Sequence, residues 1–260
     1  MRDPGLDQAI RAAGGVSALA RKIGIAQPSL SNWSRVPAER VLAVESLTGV
    51  DRAVLRPDLY GAAVEAADEV DAARAREYEL LAALLRRSPN SDLLSRLAGL
   101  RGDASPLGLA HMALGEAASA THVERVEREF FNLFIGIGRG ELLPYGSYYL
   151  SGFLNERPLS RLRDDLTRLG IERVEGEVEP EDHAAVLCEI MAGLAGGRFT
   201  APAGTDREIF EKHLSPWIGG FFRDLERAKS ADFYRAIGTV GRVFMEIESE
   251  AFTLAPAIGA

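Results

Sequence analysis

The sequence predicts an all-α protein in two parts, a small helical head over residues 1–62 and a larger helical bundle over residues 63–260. Three observations carry this. Apolar residues recur at spacings of three and four almost throughout, and strand-like alternation is nearly absent. Alanine, leucine, glutamate and arginine, all good helix formers, dominate the 260 residues. The charge also changes sign along the chain. Residues 1–60 hold 8 Lys/Arg against 6 Asp/Glu, a head of +2, and the total of −8 leaves −10 for the remainder. A basic head on an acidic body implies different partners for the two parts. The acidic body argues against broad nucleic-acid binding there, because it repels phosphate.

Within the head, Val16–Trp33 reads VSALARKIGIAQPSLSNW. Leu19, Ala20 and Ile23 face inward on a first helix, Gly24 makes the turn, and Leu30 and Trp33 lie on a second. Two short helices crossing steeply need a small residue at the crossing, here Ala20, and a turn residue between them. The pattern is a helix-turn-helix. Gln27, Ser29, Ser31 and Asn32 lie between the core positions of the second helix and are polar enough to reach base edges. Arg21, Lys22 and Arg35 suit phosphate contacts. A charge of +2 is small for a monomer that depends on phosphate; a homodimer would double the footprint for half-site binding, and the other reading of a short helical head is a dimerisation or docking unit without DNA.

A boundary is expected near Gly61–Glu65. Beyond it, one long helix from Val64 to about Arg87 places Ala73, Tyr78, Leu81, Leu84 and Leu85 near one face. Further helices are expected at 91–100, 106–119, 121–134, 146–154, 158–169, 180–195, 206–213, 215–228 and 231–252. Pro180 suits the first turn of a helix, where a missing N–H costs little, and Gly170 suits a C-terminal stop. Residues 171–178 alternate weakly and are read as a loop leading into a helix. Residues 196–205, rich in Gly and Pro, read as a loop.

Composition excludes several classes. At 47% hydrophobic and 26% charged, the chain is not disordered as a whole. Its apolar runs fall short of the roughly 18 residues a bilayer span needs. The first residues carry acidic groups and no apolar signal core. The single cysteine, Cys188, cannot form an internal disulfide, so a cytoplasmic protein is expected. Enzymatic activity is not expected. The four histidines show no metal-ligand spacing, Cys188 sits in an apolar helix as an inert thiol, and no nucleophile elbow or dinucleotide fingerprint follows a strand. No cofactor, metal or catalytic residue is assigned.

The richest cluster in the body is Glu129–Gly152, EFFNLFIGIGRGELLPYGSYYLSG, with six aromatics around a glycine-rich turn. The second is Glu179-Pro180-Glu181-Asp182-His183, whose acids suit a helix N-terminus. Asp182 and His183, being adjacent, point about 100° apart on a helix and do not make a direct catalytic pair. Phe130 and Phe134, at helical spacing, are expected in the core.

Two resemblances follow from these residues. Leu6–Tyr60, with AAGG, ALA, IG, SLSNW and VPAERV in order, resembles the Cro/YdaS-type DNA-binding module of phage repressors and antitoxins. Gln27–Trp33 then corresponds to that family's recognition helix, and the resemblance implies DNA contacts by Gln27, Ser29, Ser31, Asn32 and Arg35. The body, over about Glu69–Thr253, resembles the TorD/DmsD/NarJ family of cytoplasmic chaperones. The matching segments are E-x-x-x-L-F-x-G at Glu129–Gly136, P-[WY]-x-S-x-[YW] at Pro144–Tyr149 and E-P-x-D-H at Glu179–His183. One departure is Ile137, where the family often has proline.

The second resemblance implies a TorD-like helical bundle. It also implies a chaperone that binds an apo-molybdoenzyme catalytic subunit, of the formate-dehydrogenase or dimethyl-sulfoxide-reductase type, and its twin-arginine leader peptide until the cofactor is inserted. Tyr145, Ser147, Tyr148, Glu181, Asp182 and His183 are the peptide-site residues it implies. Carboxylates suit the leader's guanidinium groups, and aromatics suit its apolar part and can stack on arginine. The purine-nucleotide binding known in the family has no phosphate-loop signature here. The alternative is a one-component transcription regulator, with the bundle as sensor and the head on an operator.

Overall fold

A computed structural model of the chain describes residues 2–172 and 179–254, with the side chains at 61–68 excepted. The described residues are helical and contain no strand, only one isolated antiparallel bridge between Tyr145 and His183. The chain falls into two compact units, Met1–Asp71 and Ala72–Ala260.

The head is built from α1 (Pro4–Ala13), α2 (Val16–Lys22), α3 (Gln27–Ser31), α4 (Val41–Thr48) and α5 (Arg52–Leu55). Asp3 caps α1 by accepting from the Gly5 N–H at 2.9 Å, with Pro4 at the first position. Gly24 turns the chain between α2 and α3 with φ +72°, a conformation that favours glycine. The core is Leu6, Ala9, Leu19, Ala20, Leu30, Val36, Val41, Val44 and Leu55, all but sealed from solvent. Arg56 is buried; it donates to the Val36 carbonyl at 2.9 Å and makes a two-pronged pair with Asp58. Those hydrogen bonds hold the Asp58 carboxyl down at about 2. The crossing of α2 and α3 follows the sequence pattern, except that α3 ends at Ser31 and Trp33 lies just beyond it.

The long helix, α6 (Pro57–Arg86), begins seven residues earlier than expected and passes through the expected boundary. Proline at its first position costs no hydrogen bond. Tyr78, Leu81, Leu84 and Leu85 are buried as the periodicity requires, but Ala73 is exposed and Ala75 takes the inward place one turn before Tyr78.

The body continues with α7 (Ser91–Ala98), α8 (Pro106–Ser119), α9 (Val123–Phe130), α10 (Gly146–Ser151), α11 (Arg157–Arg168), α12 (Ala184–Ala195), α13 (Thr205–Ile209), α14 (Ser215–Arg227) and α15 (Phe233–Leu254). Two wide π-turns extend helices, Phe131–Ile135 after α9 and Phe210–Leu214 after α13. The first occupies the end of the expected 121–134 helix. Tyr78, Leu114, Leu162, Met191, Phe221, Phe222 and Tyr234 meet in one core. Phe130 and Phe134 are half-buried rather than sealed, stacked edge-on at 5.1 Å over Tyr234. Gly170, at φ +66°, follows α11 as expected.

Pro180 does not open a helix. His183 is extended, with ψ 137°, so α12 starts at Ala184. Glu181 and Asp182 form a turn that the His183 N–H closes on the Pro180 carbonyl at 3.0 Å, and the bridge to Tyr145 holds His183 extended. The expected loop at 171–178 lies, from 173 onward, outside the described residues.

Two buried carboxylates tie the bundle. Glu129 accepts from the N–H groups of Asp232, Phe233 and Tyr234 at 2.8, 3.2 and 2.6 Å, receiving the start of α15. Glu248, 1% exposed, accepts from Arg74 at 2.8 and 2.9 Å and from the Tyr78 hydroxyl at 2.9 Å. Burial and the Glu248 charge hold the Tyr78 phenol far above its usual range, so it remains a donor. No described helix is long and apolar enough to cross a membrane.

Candidate functional site

The three body motifs occupy neighbouring structural roles. In the first, Glu129 receives α15, Leu133 is fully buried, and Gly136 closes the π-turn at φ +63°. A Cβ on Gly136 would stand 2.0 Å from the Arg139 carbonyl oxygen, so the turn admits no side chain there. This explains why glutamate and glycine bracket the segment.

The second and third motifs join each other. The Ala184 N–H donates to the Pro144 carbonyl at 2.8 Å, and the Gly146 N–H to the Asp182 carbonyl at 2.9 Å. The Asp182 carboxylate accepts from the Ser147 N–H at 2.7 Å, capping α10 across a gap of 35 residues. His183 caps its own helix, its Nδ1 accepting from the Ala185 N–H at 3.0 Å. Its ring meets Tyr145 edge-on at 5.0 Å. The Tyr145 hydroxyl donates to Glu179 at 2.6 Å, and burial together with that carboxylate pushes its pKa up. Proline, aspartate and histidine in this order therefore lock the N-termini of α10 and α12 together.

The six expected peptide-site residues are thus brought to one corner, but they divide by exposure. Ser147, Asp182 and His183 are buried, at 0%, 3% and 6% exposed; Asp182 Oδ2 and His183 Nδ1 accept from backbone amides, while Asp182 Oδ1 and the Ser147 hydroxyl oxygen have no hydrogen-bond partner among the described residues. Tyr145 and Tyr148 are half-buried. The Tyr148 hydroxyl accepts from Arg139 at 2.9 Å, and that guanidinium lies 5.4 Å from the ring. Glu181 is also half-covered and accepts from Arg163 on α11 at 2.8 Å. Sequence reasoning passed over Glu179, Arg163 and Trp217 as members of this corner. Trp217 stacks on Tyr149 at 5.6 Å and donates to the His213 carbonyl at 2.7 Å. The Tyr149 hydroxyl reaches Asp224 at 2.9 Å. Glu179 stood inside a quoted motif, but Arg163 and Trp217 carry no local signal.

Cys188 is fully buried, and burial pushes its thiol pKa up, away from the reactive thiolate. Among the described residues no cluster of His, Cys, Asp and Glu is arranged to hold a metal.

In the head, Gln27, Ser29 and Asn32 are exposed on and just after α3, and Ser31 is half-buried. Gln27 donates to Ser31 at 3.3 Å. Arg35 is exposed but paired with Asp58 at 3.4 Å, while Arg21 and Lys22 are exposed on α2.

A helix-turn-helix head and a helical bundle with no strand among the described residues define the class by fold. Residues 101–223 match the family described as nitrate reductase delta subunit, and residues 6–64 match the family described as bacterial toxin YdaS. The middle of the body is thus similar to the nitrate reductase delta subunit family, and the head is similar to the YdaS family.

The chaperone protein TorD of Vibrio cholerae serotype O1 is 25% identical over 127 residues, covering 45% of this chain and 58% of that protein. DmsD of Haemophilus influenzae, named for Tat proofreading, is 28% identical over 116 residues, covering 44% and 55%. The matches thus span less than two thirds of these curated relatives. A structure described as a redox enzyme maturation protein from Archaeoglobus fulgidus aligns with a TM-score of 0.48 at 20% identity. It covers 66% of this chain and 93% of its own.

Proposed function

We propose that the chain is a cytoplasmic maturation chaperone. It binds an apo-molybdoenzyme catalytic subunit, of the formate-dehydrogenase or dimethyl-sulfoxide-reductase type, or that subunit's twin-arginine leader, and assists cofactor insertion before export. The observation that carries this reading is the joined corner of α10 and α12, where the family's second and third motifs meet in one hydrogen-bonded unit. Tyr145, Tyr148 and Glu181 are the contact residues of that corner; Ser147, Asp182 and His183 hold its frame. Carboxylates select a planar guanidinium by paired hydrogen bonds.

The test is a titration of the intact protein with the leader of a molybdoenzyme encoded beside its gene. Binding is expected to weaken as salt rises, because part of it is charge pairing at a surface. No binding to the leader or to the apo-subunit overturns the reading.

A second reading has its own observation, the exposed polar edge of Gln27, Ser29 and Asn32. The head then binds an operator as a homodimer, and the body acts as sensor. In a mobility-shift experiment on the gene's own upstream region, Asn32→Ala is expected to cost about 1–3 kcal/mol. Arg35→Ala should weaken binding to all sequences alike. A shift untouched by either change removes α3 from the interface.

A further inference from the structure

Asp182 and His183 are too deeply buried, at 3% and 6% exposed, to offer a surface to a peptide, whereas Glu181 opens onto a cavity. Beside their corner, α11, α12 and the end of α6 enclose a cavity of about 470 Å³. Its floor is apolar, formed by Leu166, Val186, Ile190 and Phe199. Phe199 is half-open to solvent and packs so closely on Gly193 that a Cβ there would stand 2.2 Å from its ring. The rim is charged. Glu172, Glu179, Glu181 and Glu189 stand on it against Arg86 and Arg163, an excess of two negative charges. Arg86 pairs with Glu189 at 2.6 Å and Arg163 with Glu181 at 2.8 Å.

We propose that this cavity between α11 and α12, rather than the buried Asp182–His183 pair, receives the bound segment: a cationic head on the glutamate rim followed by apolar side chains on the floor. The proposal rests on the peptide-binding reading above and locates it. Charge complementarity selects this occupant. A guanidinium of the incoming segment competes with Arg86 and Arg163 for carboxylates already turned toward the cavity, and such exchange costs little because both states are paired. An acidic segment meets repulsion at the rim. The apolar floor gives the second half of the recognition, since burial of aliphatic side chains is favourable without direction. The E-P-x-D-H segment then serves two tasks at once. Its inner residues lock α12 in place, and its outer glutamates line the binding rim.

The test uses the full chain and a synthetic peptide of two adjacent arginines followed by a leucine–alanine stretch, read by fluorescence anisotropy. The combined change Glu181→Gln and Glu189→Gln should weaken binding about tenfold at low salt. Phe199→Ala should weaken it several-fold at any salt. Asp182→Asn keeps an oxygen for the Ser147 N–H and should bind like the parent. Thermal melting of each variant separates loss of binding from loss of fold. If the parent binds and the cavity variants, still folded, bind equally well, the cavity is not the site, while the chaperone reading stands. If Asp182→Asn alone abolishes binding in a folded protein, the buried pair is the contact after all and the proposal fails. If the parent does not bind the peptide, the peptide-binding reading itself fails, and this proposal with it.

Discussion

Glu129→Ala is expected to destabilise the body by about 3–5 kcal/mol, because it orphans three backbone donors at a buried helix start. In a body of this size that is a drop of roughly 10 °C in the melting midpoint. The carboxylate is 6% exposed, and its three acceptor contacts lie at 2.6 to 3.2 Å from residues more than 100 positions away. No nearby side chain can replace it: Asp232, next in line, is exposed and paired with Arg125. Glu129→Gln keeps an acceptor oxygen but adds a donor facing donors, so about half of the loss should remain. Urea denaturation of the three proteins measures this, and an alanine variant within about 1 kcal/mol of the parent contradicts the capping role.

Glu248→Ala should cost a similar amount, about 3–5 kcal/mol, for a different reason. It strands a guanidinium and a phenol inside the protein. Arg74 keeps Asp206 at 3.0 Å, which places the loss at the lower end of that range. Tyr78, fully buried, keeps nothing for its hydroxyl. The pair of changes Arg74→Met and Glu248→Leu should recover the part of the loss that comes from the unpaired guanidinium, since apolar groups often replace a buried ion pair without loss, while the Tyr78 hydroxyl stays stranded. If the double variant is as unstable as the single one, the cost lies in packing and the stranded Tyr78 hydroxyl rather than in the unpaired charge.

The two cases show what local pattern reaches and what it does not. Helical periodicity located the inward face of α6 because each position is compared with neighbours a turn away, and Tyr78, Leu81, Leu84 and Leu85 obey it. It placed Ala73 inward and missed Ala75, since small residues carry little weight in such a pattern. The start of α12 at Ala184 was not legible, because an extended His183 depends on Tyr145, far earlier in the chain. Nor was the bond between Arg74 and Glu248, which are 174 residues apart. The corner was legible as a set of motifs but not as a division of labour. A motif names Asp182, His183, Glu179 and Glu181 with equal emphasis, and only burial separates those that hold the frame from those that face outward.

The wide turns at Phe131–Ile135 and Phe210–Leu214 have a consequence for inheritance. A π-turn accommodates one residue more than an α-helix of the same length. Deleting a single residue from Phe210–Leu214 would therefore let the turn close as an ordinary α-turn and leave Trp217 facing Tyr149, whereas a deletion inside α14 would rotate everything after it by about 100°. At these two points a gap of one residue keeps the register that the same gap elsewhere in a helix would change. One-residue gaps in related sequences should accordingly fall at these two turns rather than inside the α-helices that follow them.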